Sequence, residues 1–326
     1  MNTPVSPHAQ AKPQISILVV GFNSAAFIER CLGSIETACT HHSYEILFVD
    51  QGDGSTQEIV EERFPQTRIV PSRGNIGFAA GNNLLASHAR GQFLLLLNPD
   101  VEPLPEAIDA LVDGQEKYPA ASAWGGVTLD ANDNPDVGNT VHIPSLREMA
   151  SRLFGRSSVA LNTNSTFVED EQVDALSGGF VLIARATWDQ ADGLDERYFL
   201  YCEEVDFFYR MGLRGHTFWR MSKARARHFI GHGSVESPMR MLYSAAGVMQ
   251  FARIHWGQFR QIAAFGLIWL AAVQRWNVGR LLGRWRPQLR EVGRSQQVLA
   301  RKPSFWRFGY DPRRGLLAKL RKHPLD

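Results

Sequence analysis

Apolar residues in the first hundred positions come in short unbroken runs separated by polar, glycine-punctuated stretches. Ile15–Val20 (ISILVV), Glu45–Val49 (EILFV), Arg68–Val70 (RIV) and Phe93–Leu97 (FLLLL) are strand-length. They predict strands, with the leucine run buried on both faces of a sheet. Between them the pattern turns helical: from a cap at Ser24 to about Glu36, after the turn-rich QGDGS, and through FAAGNNLLASHA. Strands alternating with helices predict a parallel α/β sheet. After Pro105 the spacing predicts a helix to about Tyr118, then a strand and polar turn in SAWGGVTLDANDNPDVG. Gly138–Gln172 has little periodicity and reads as a long loop region. Strand character returns in VDALSGGFVLIARATW and HTFWRM, around an amphipathic helix in EEVDFFYRMGLRG. ARHFIGHGS reads as a polar loop and Met239–His255 as a helix.

The chain of 326 residues is 44% apolar, enough for a sizeable core. Its net charge of +2 hides an asymmetry: from Arg275 onward fourteen Lys and Arg face three acids. Cys31, Cys39 and Cys202 are odd in number and have no CxxC spacing, against a disulfide framework or zinc site and suited to a reducing cytoplasm. The first residues lack an apolar signal core and read as a flexible leader. The longest apolar run, Ile262–Val273, falls short of the ~20 residues that span a bilayer. It is either a buried core helix or an in-plane membrane helix. Trp269, Trp276 and Trp285 among Arg275, Arg280, Arg284 and Arg286 favour the latter.

In a parallel sheet, ligands bind at the carboxyl ends of strands. Phe22-Asn23, Asp50 and Asn98-Pro99-Asp100 fall there. Asp50 is a turn or helix cap, or a carboxylate that meets a nucleotide. Arg73-Gly74-Asn75-Ile76-Gly77 is a glycine-punctuated loop before a helix, suited to a phosphate but neither a P-loop nor GxGxxG. Asp100 is a turn former, or a ligand to a cation whose shell phosphate and water complete. Asn98 is a second ligand or a turn former. Glu203, Glu204 and Asp206 open a helix, where acids offset its dipole. They also sit among Tyr198, Phe199, Tyr201, Phe207 and Phe208, surroundings that ready a carboxylate for proton transfer. His228 and His232 lie in the glycine-rich loop, where a lone histidine is more often incidental than a ligand.

In order, VVGFNS, ILFVDQGDGS, RGNIGFAAGNN, LLLLNPD, SGGFVLIAR, GLDERYFLYCEEVDFFYRMGLRG and ARHFIGHGS resemble the inverting, metal-dependent family 2 glycosyltransferases with a GT-A fold. The likeness covers about Ile15 to His255 and is nearest to rhamnosyltransferase-like members of bacterial surface polysaccharide synthesis. It implies an α/β, Rossmann-like catalytic domain over 14–236, after a leader over 1–13 and before a helical, basic region over 237–326. It implies a donor site of Phe22, Asn23, Asp50, Arg73, Asn75, Gly77 and Asn98. Mg²⁺ or Mn²⁺ would sit at Asp100 and His228. Ser177, Gly178, Gly179 and Tyr201 would line the acceptor side. The general base would come from Glu204, Glu203 or Asp206. A dTDP- or UDP-linked sugar would be the donor and a glycan or lipid-linked glycan the acceptor. The implied location is cytoplasmic, peripheral on an anionic membrane, with no nucleic-acid partner.

Departures from the family pattern matter. GFN replaces a commoner Tyr-Asn, and Gln51-Gly52 stands where Asn and a small residue are usual. Glu204 replaces the usual aspartate base. It is longer by one methylene, about 1.5 Å, and a shift near 1 Å can cost on the order of 10²-fold in rate. That leaves open a non-catalytic glycan-binding protein derived from the fold. A processive synthase is disfavoured by the absence of spans, and a nucleotidyltransferase by a first loop without Lys.

Overall fold

The computed structural model describes residues 12–130, 132–135, 141–154, 167–229 and 237–310. Most of the leader, His232, the middle of 138–172 and the last residues of the basic tail lie outside them. One nine-stranded sheet organises the chain. Strands β1 (Ile15–Gly21), β2 (Tyr44–Asp50), β3 (Arg68–Ile69) and β4 (Phe93–Leu97) lie parallel in the order β3-β2-β1-β4. The sheet then turns mixed, correcting the all-parallel expectation. β8 (Phe180–Ala184) runs antiparallel to β4, and β6 (Ala121–Leu129) antiparallel to β8. β9 (Thr217–His228) lies parallel to β6. The far edge of β9 is shared by β7 (Glu171–Val173) near its start and β5 (Val101–Pro103) near its end.

Alternating side chains explain the unbroken apolar runs. Ile15, Ile17, Val19, Phe93, Leu95 and Leu97 enter the core on one face. Leu18, Leu94 and Leu96 enter the core on the other. Helices α1 (Ile28–Ala38) and α4 (Ala107–Lys117) cover the first face. Helices α3 (Phe78–His88), α6 (Arg185–Ala191) and α7 (Glu203–Gly212) cover the second. Helix α2 (Ser55–Arg63) follows β2. Register fixes the business end: Gly21 pairs with Asp50, so β1 and β2 finish level.

Four local expectations change. Ser24 caps no helix with its side chain; its carbonyl receives Phe27 and Ile28, and α1 starts four residues later. The presumed loop over 138–172 contains helix α5 (Leu146–Leu153), capped by Ser145 Oγ, and the start of β7. ARH, expected in a loop, continues β9 because β5 and β6 hydrogen-bond it from both sides.

The fourth concerns the C-terminal helices, α8 (Pro238–His255), α9 (Gln258–Leu282) and α10 (Pro287–Arg301). They enclose a third core, and the apolar run in α9 divides between a buried face and an exposed one. Ala264, Ala271, Ala272 and Gly279 pack inward, while Phe259 (91% exposed), Ile262 and Leu270 face solvent. Two of the three tryptophans point into the protein: Trp269 donates to Ala300 O at 3.1 Å, and Trp276 packs on the core. Trp285 stays outside. Among the described residues no helix is long and apolar enough to cross a membrane.

Candidate active site

The ends of β1 and β2 meet through small residues. Asn23 adopts a left-handed backbone (φ 52°). A Cβ at Gly52 would lie 2.8 Å from its N and Oδ1, so only glycine admits this contact. Asp50 is buried, and its carboxylate caps the turn that follows: Oδ1 accepts Gly52 N at 2.7 Å and Oδ2 accepts Gln57 N at 3.1 Å. The capping alternative is therefore occupied, and any ligand contact must use the remaining lone pairs. Phe22 stands exposed beside it.

Gln51, noticed in the sequence only as a departure, clasps the glycine loop. Its Nε2 donates to Gly77 O at 3.0 Å and its Oε1 accepts Gly77 N at 3.0 Å. A Cβ at Gly81 would lie 2.2 Å from that amide, so Gly81 makes room for it. Gly77 has φ 92°. The next residue, Phe78, donates its N–H to Phe199 O at 2.8 Å. The loop is thereby pinned on one side to β2 and on the other to the segment leading into the acids. Arg73 is exposed and Asn75 half-buried on it.

From Asn98 the contacts run across β8. Asn98 N donates to Gly179 O at 2.9 Å. A Cβ at Gly179 would sit 3.2 Å from Asn98 Nδ2, and one at Gly178 would sit 3.3 Å from the Phe78 ring and 3.6 Å from Glu204 Cβ. Ser177 Oγ accepts Gly179 N at 3.4 Å. Two glycines thus bring Asn98 and Glu204 to one place. Asp100 and His228, 128 residues apart, meet where β5 pairs with the end of β9, with Nε2 to Oδ2 at 3.2 Å. A hard carboxylate oxygen beside an imidazole suits Mn²⁺ and, less well, Mg²⁺, with phosphate and water completing the shell. Among the described residues no three His, Cys, Asp or Glu side chains gather for a metal.

The three acids on α7 separate by environment. Asp206, wholly buried, receives Arg210 Nε at 2.6 Å and Tyr198 OH at 3.2 Å, and pairs with His255 Nε2 at 2.6 Å. It is structural, a correction to its candidacy as base. Glu203 is buried and its Oε2 has no partner. Burial, then the neighbouring Glu204 charge, raises its pKa well above the carboxylate range. Glu204 is half-exposed beside Gly178, and burial raises its pKa too. Its Oε2 is likewise buried without a partner. Of the two, Glu204 is the acid whose side chain lies against Gly178 and the Phe78 loop.

Tyr201 and Cys202, just before these acids, both have φ 71°. Non-glycine residues there cost about 1–2 kcal/mol each. The C-terminal helices hold the turn. A Cβ at Gly247 on α8 would lie 2.5 Å from Tyr201 O. Arg240 Nε donates to Tyr201 OH at 3.0 Å, and the one proton of Tyr310 OH lies within reach of two acceptors, Leu200 O and Tyr243 O. None of Gly247, Tyr310 or His255 was marked by the sequence, where each is one ordinary residue in a helical or terminal stretch.

The model of the family described as glycosyl transferase family 2 matches residues 16–185, just over half of the chain. An N-acetylglucosaminyl-diphospho-decaprenol L-rhamnosyltransferase of Mycobacterium tuberculosis is 30% identical over 250 residues, covering 69% of this chain and 78% of its own. Rhamnosyltransferase WbbL of Escherichia coli K12 is 22% identical over 232 residues, covering 67% and 84%. Among solved structures, the mannosyltransferase PcManGT of Pyrobaculum calidifontis, in complex with GDP-Man and Mn²⁺, superposes with TM-score 0.55 at 14% identity over 90% of this chain and 88% of that one. GalNAc-T7 with UDP, GalNAc and Mn²⁺ superposes with TM-score 0.56 at 13% identity over 91% of this chain, which spans 57% of that longer one. The chain belongs to glycosyl transferase family 2 and is an enzyme with the GT-A fold.

Proposed function

We propose that the enzyme transfers a sugar, rhamnose first among candidates, from a dTDP- or UDP-linked donor to a lipid-linked glycan, inverting the anomeric centre. The observation that carries this is the nearness of the donor loop to Glu204: a Cβ added at Gly178 would lie 3.3 Å from the ring of Phe78, next to Gly77, and 3.6 Å from Glu204 Cβ. It sets a nucleotide-sugar loop and a proton acceptor on either side of one small gap. The relatives' lipid-diphosphate acceptor and rhamnosyl donor support the substrate classes.

In this reading the donor's nucleotide lies along the ends of β1 and β2, by Phe22, Asn23 and Asp50. The loop over Arg73, Asn75 and Gly77 receives ribose and diphosphate. Asp100 and His228 would hold Mn²⁺ or Mg²⁺, which offsets the charge of the diphosphate when bound. Glu204 accepts the proton of the acceptor hydroxyl as its oxygen attacks the anomeric carbon. The carbon–oxygen bond to the diphosphate breaks, and its electron pair leaves with the diphosphate. Glu204's extra methylene is matched by the glycine at 178, whose missing side chain leaves room beside it. The exposed apolar face of α9 and the basic tail rest on the cytoplasmic face of the membrane that carries the acceptor.

A transfer assay with dTDP-rhamnose and a GlcNAc-diphospho-prenol acceptor, with Mn²⁺ or EDTA, tests this. Glu204→Gln should bind donor normally and lose transfer by on the order of 10²-fold or more, the range of general-base loss. Full transfer by that variant places the base elsewhere. Full Mn²⁺-dependent transfer by Asp100→Ala sinks the metal assignment.

A further inference from the structure

Resting on the lipid-linked acceptor of the preceding section, we infer that a pocket behind the acids holds that acceptor's diphosphate and the first units of its isoprenoid chain. The pocket, about 430 Å³, lies among α5, α8, α9 and α10, within the size range of small-ligand sites. Cys202 is in its wall, adjoining Glu203 and Glu204. A molecule seated there is therefore anchored beside the proton acceptor.

Its lining is divided by chemistry. Met241, Val248, Leu267 and Ile268 give an apolar wall without charge. Beside them the lining turns polar, with His142, Glu148 and Arg152, and with Arg275 two turns along α9 from Leu267. Arg275 is half-buried, and its Nη2 donates to Arg152 O at 3.3 Å. Among the described residues no carboxylate lies within ion-pair distance of Arg275. Arg152 has Glu148 at 2.6 Å. Glu148 is taken by Arg152, and Arg275 stands half-buried next to a like charge, an arrangement that a bound anion would relieve. Burial, then the Arg152 charge, lowers its pKa. Guanidinium forks match phosphate oxygens in geometry and charge. An anion that also carries a branched hydrocarbon chain satisfies both halves; a free phosphate or a sugar satisfies one. Leu270, on the same helix as Leu267 and Ile268, faces solvent, a route by which the chain could leave toward a membrane.

The test needs no turnover. The full chain is titrated calorimetrically with farnesyl diphosphate in EDTA and, separately, with inorganic diphosphate and with farnesol. Farnesyl diphosphate should bind at least about tenfold more tightly than either half, and Arg275→Gln or the more exposed Arg152→Gln should weaken it by on the order of tenfold, the loss of one charge-assisted contact. Binding of dTDP with Mn²⁺ should be the same in all three proteins, which also shows that the variants fold. Phosphatidylglycerol vesicles should not displace the probe; displacement would make the site a membrane-headgroup site and overturn the inference. Unchanged affinity in both variants overturns it as well. A wild type that binds the probe through both arginines but transfers no sugar keeps the pocket and removes the transferase reading. One that transfers to a prenyl-diphosphate acceptor with the same KM in both variants removes the pocket alone.

Discussion

At the scale of single residues, environment divides look-alike carboxylates. Asp206 and Glu203 are both buried on the first turns of α7, yet one has three side-chain partners and the other has an orphan oxygen. Asp206→Ala should cost about 3–5 kcal/mol in urea unfolding, because Arg210 and His255 are left without their shared partner. Glu203→Gln should do the opposite above neutral pH. A carboxyl whose folded pKa is raised contributes stability in its protonated form, fully present below the unfolded value near 4.5 and lost as pH rises through the raised folded value. Glutamine removes that loss, so the variant should gain Tm over the wild type at pH 8 and little at pH 4. Equal Tm differences at both pH values would contradict the assignment. Gln51 is the residue the sequence undervalued. It looked like noise in a nucleotide motif, because only the fold shows that Gly77 comes within reach of its amide. Gln51→Ala leaves buried Gly77 groups without partners, costing about 1–3 kcal/mol, and should raise the donor KM with less effect on kcat.

At the scale of elements, what could be read from sequence was what local pattern dictates. The runs ISILVV, EILFV and FLLLL became β1, β2 and β4 because burial on both faces leaves no room for polar alternation. Direction was not legible: β8 looks like any buried strand, and its antiparallel course follows from the polypeptide passing over α4, β6 and α5 before it returns. ARH in β9 was misread since its polar residues suit a loop; β5 and β6 on either side supply the ladder that overrides them. The residues proposed for the donor and metal, Asp50 and Asn98-Pro99-Asp100, were placed at strand ends by the same pattern, and they stand there. The turn at Tyr201-Cys202 was invisible, because neither residue type advertises a left-handed backbone. Its support from α8 predicts a remote effect. In Gly247→Ala the new methyl meets Tyr201 O, and the turn must shift to admit it. Transfer should fall by on the order of 10²-fold, as for a displacement near 1 Å at the reacting groups, with donor affinity retained. Donor affinity falling in parallel would mean that the whole site, not the acid turn, has moved.

At the scale of the whole molecule, the C-terminal helices face two ways. Inward they brace the acid turn through Gly247, Arg240 and Tyr310. Outward, α9 sets Phe259, Ile262 and Leu270 in a row at helical spacing, and Leu281, Leu282 and Trp285 continue near its end. Arg280 and Arg284 lie over the Trp276 and Trp285 rings, at 5.4 and 4.5 Å from the ring centres, a pairing of cation and aromatic suited to a lipid headgroup layer. In the proposed membrane contact the basic excess after Arg275 would add about 1 kcal/mol of attraction to an anionic surface for each Lys or Arg near it. Both terms leave a measurable signature in cosedimentation with phosphatidylglycerol vesicles. Binding should weaken as salt is raised from 0.1 to 0.5 M, because screening shortens the reach of the basic residues, yet leave a residue from apolar insertion. Replacing Phe259 and Ile262 together by Ser should remove that residue while leaving Tm within about 1 °C, since exposed side chains contribute little to the core. Retained high-salt binding in the double variant would assign the membrane contact to another face, and with it the direction from which the acceptor reaches Glu204.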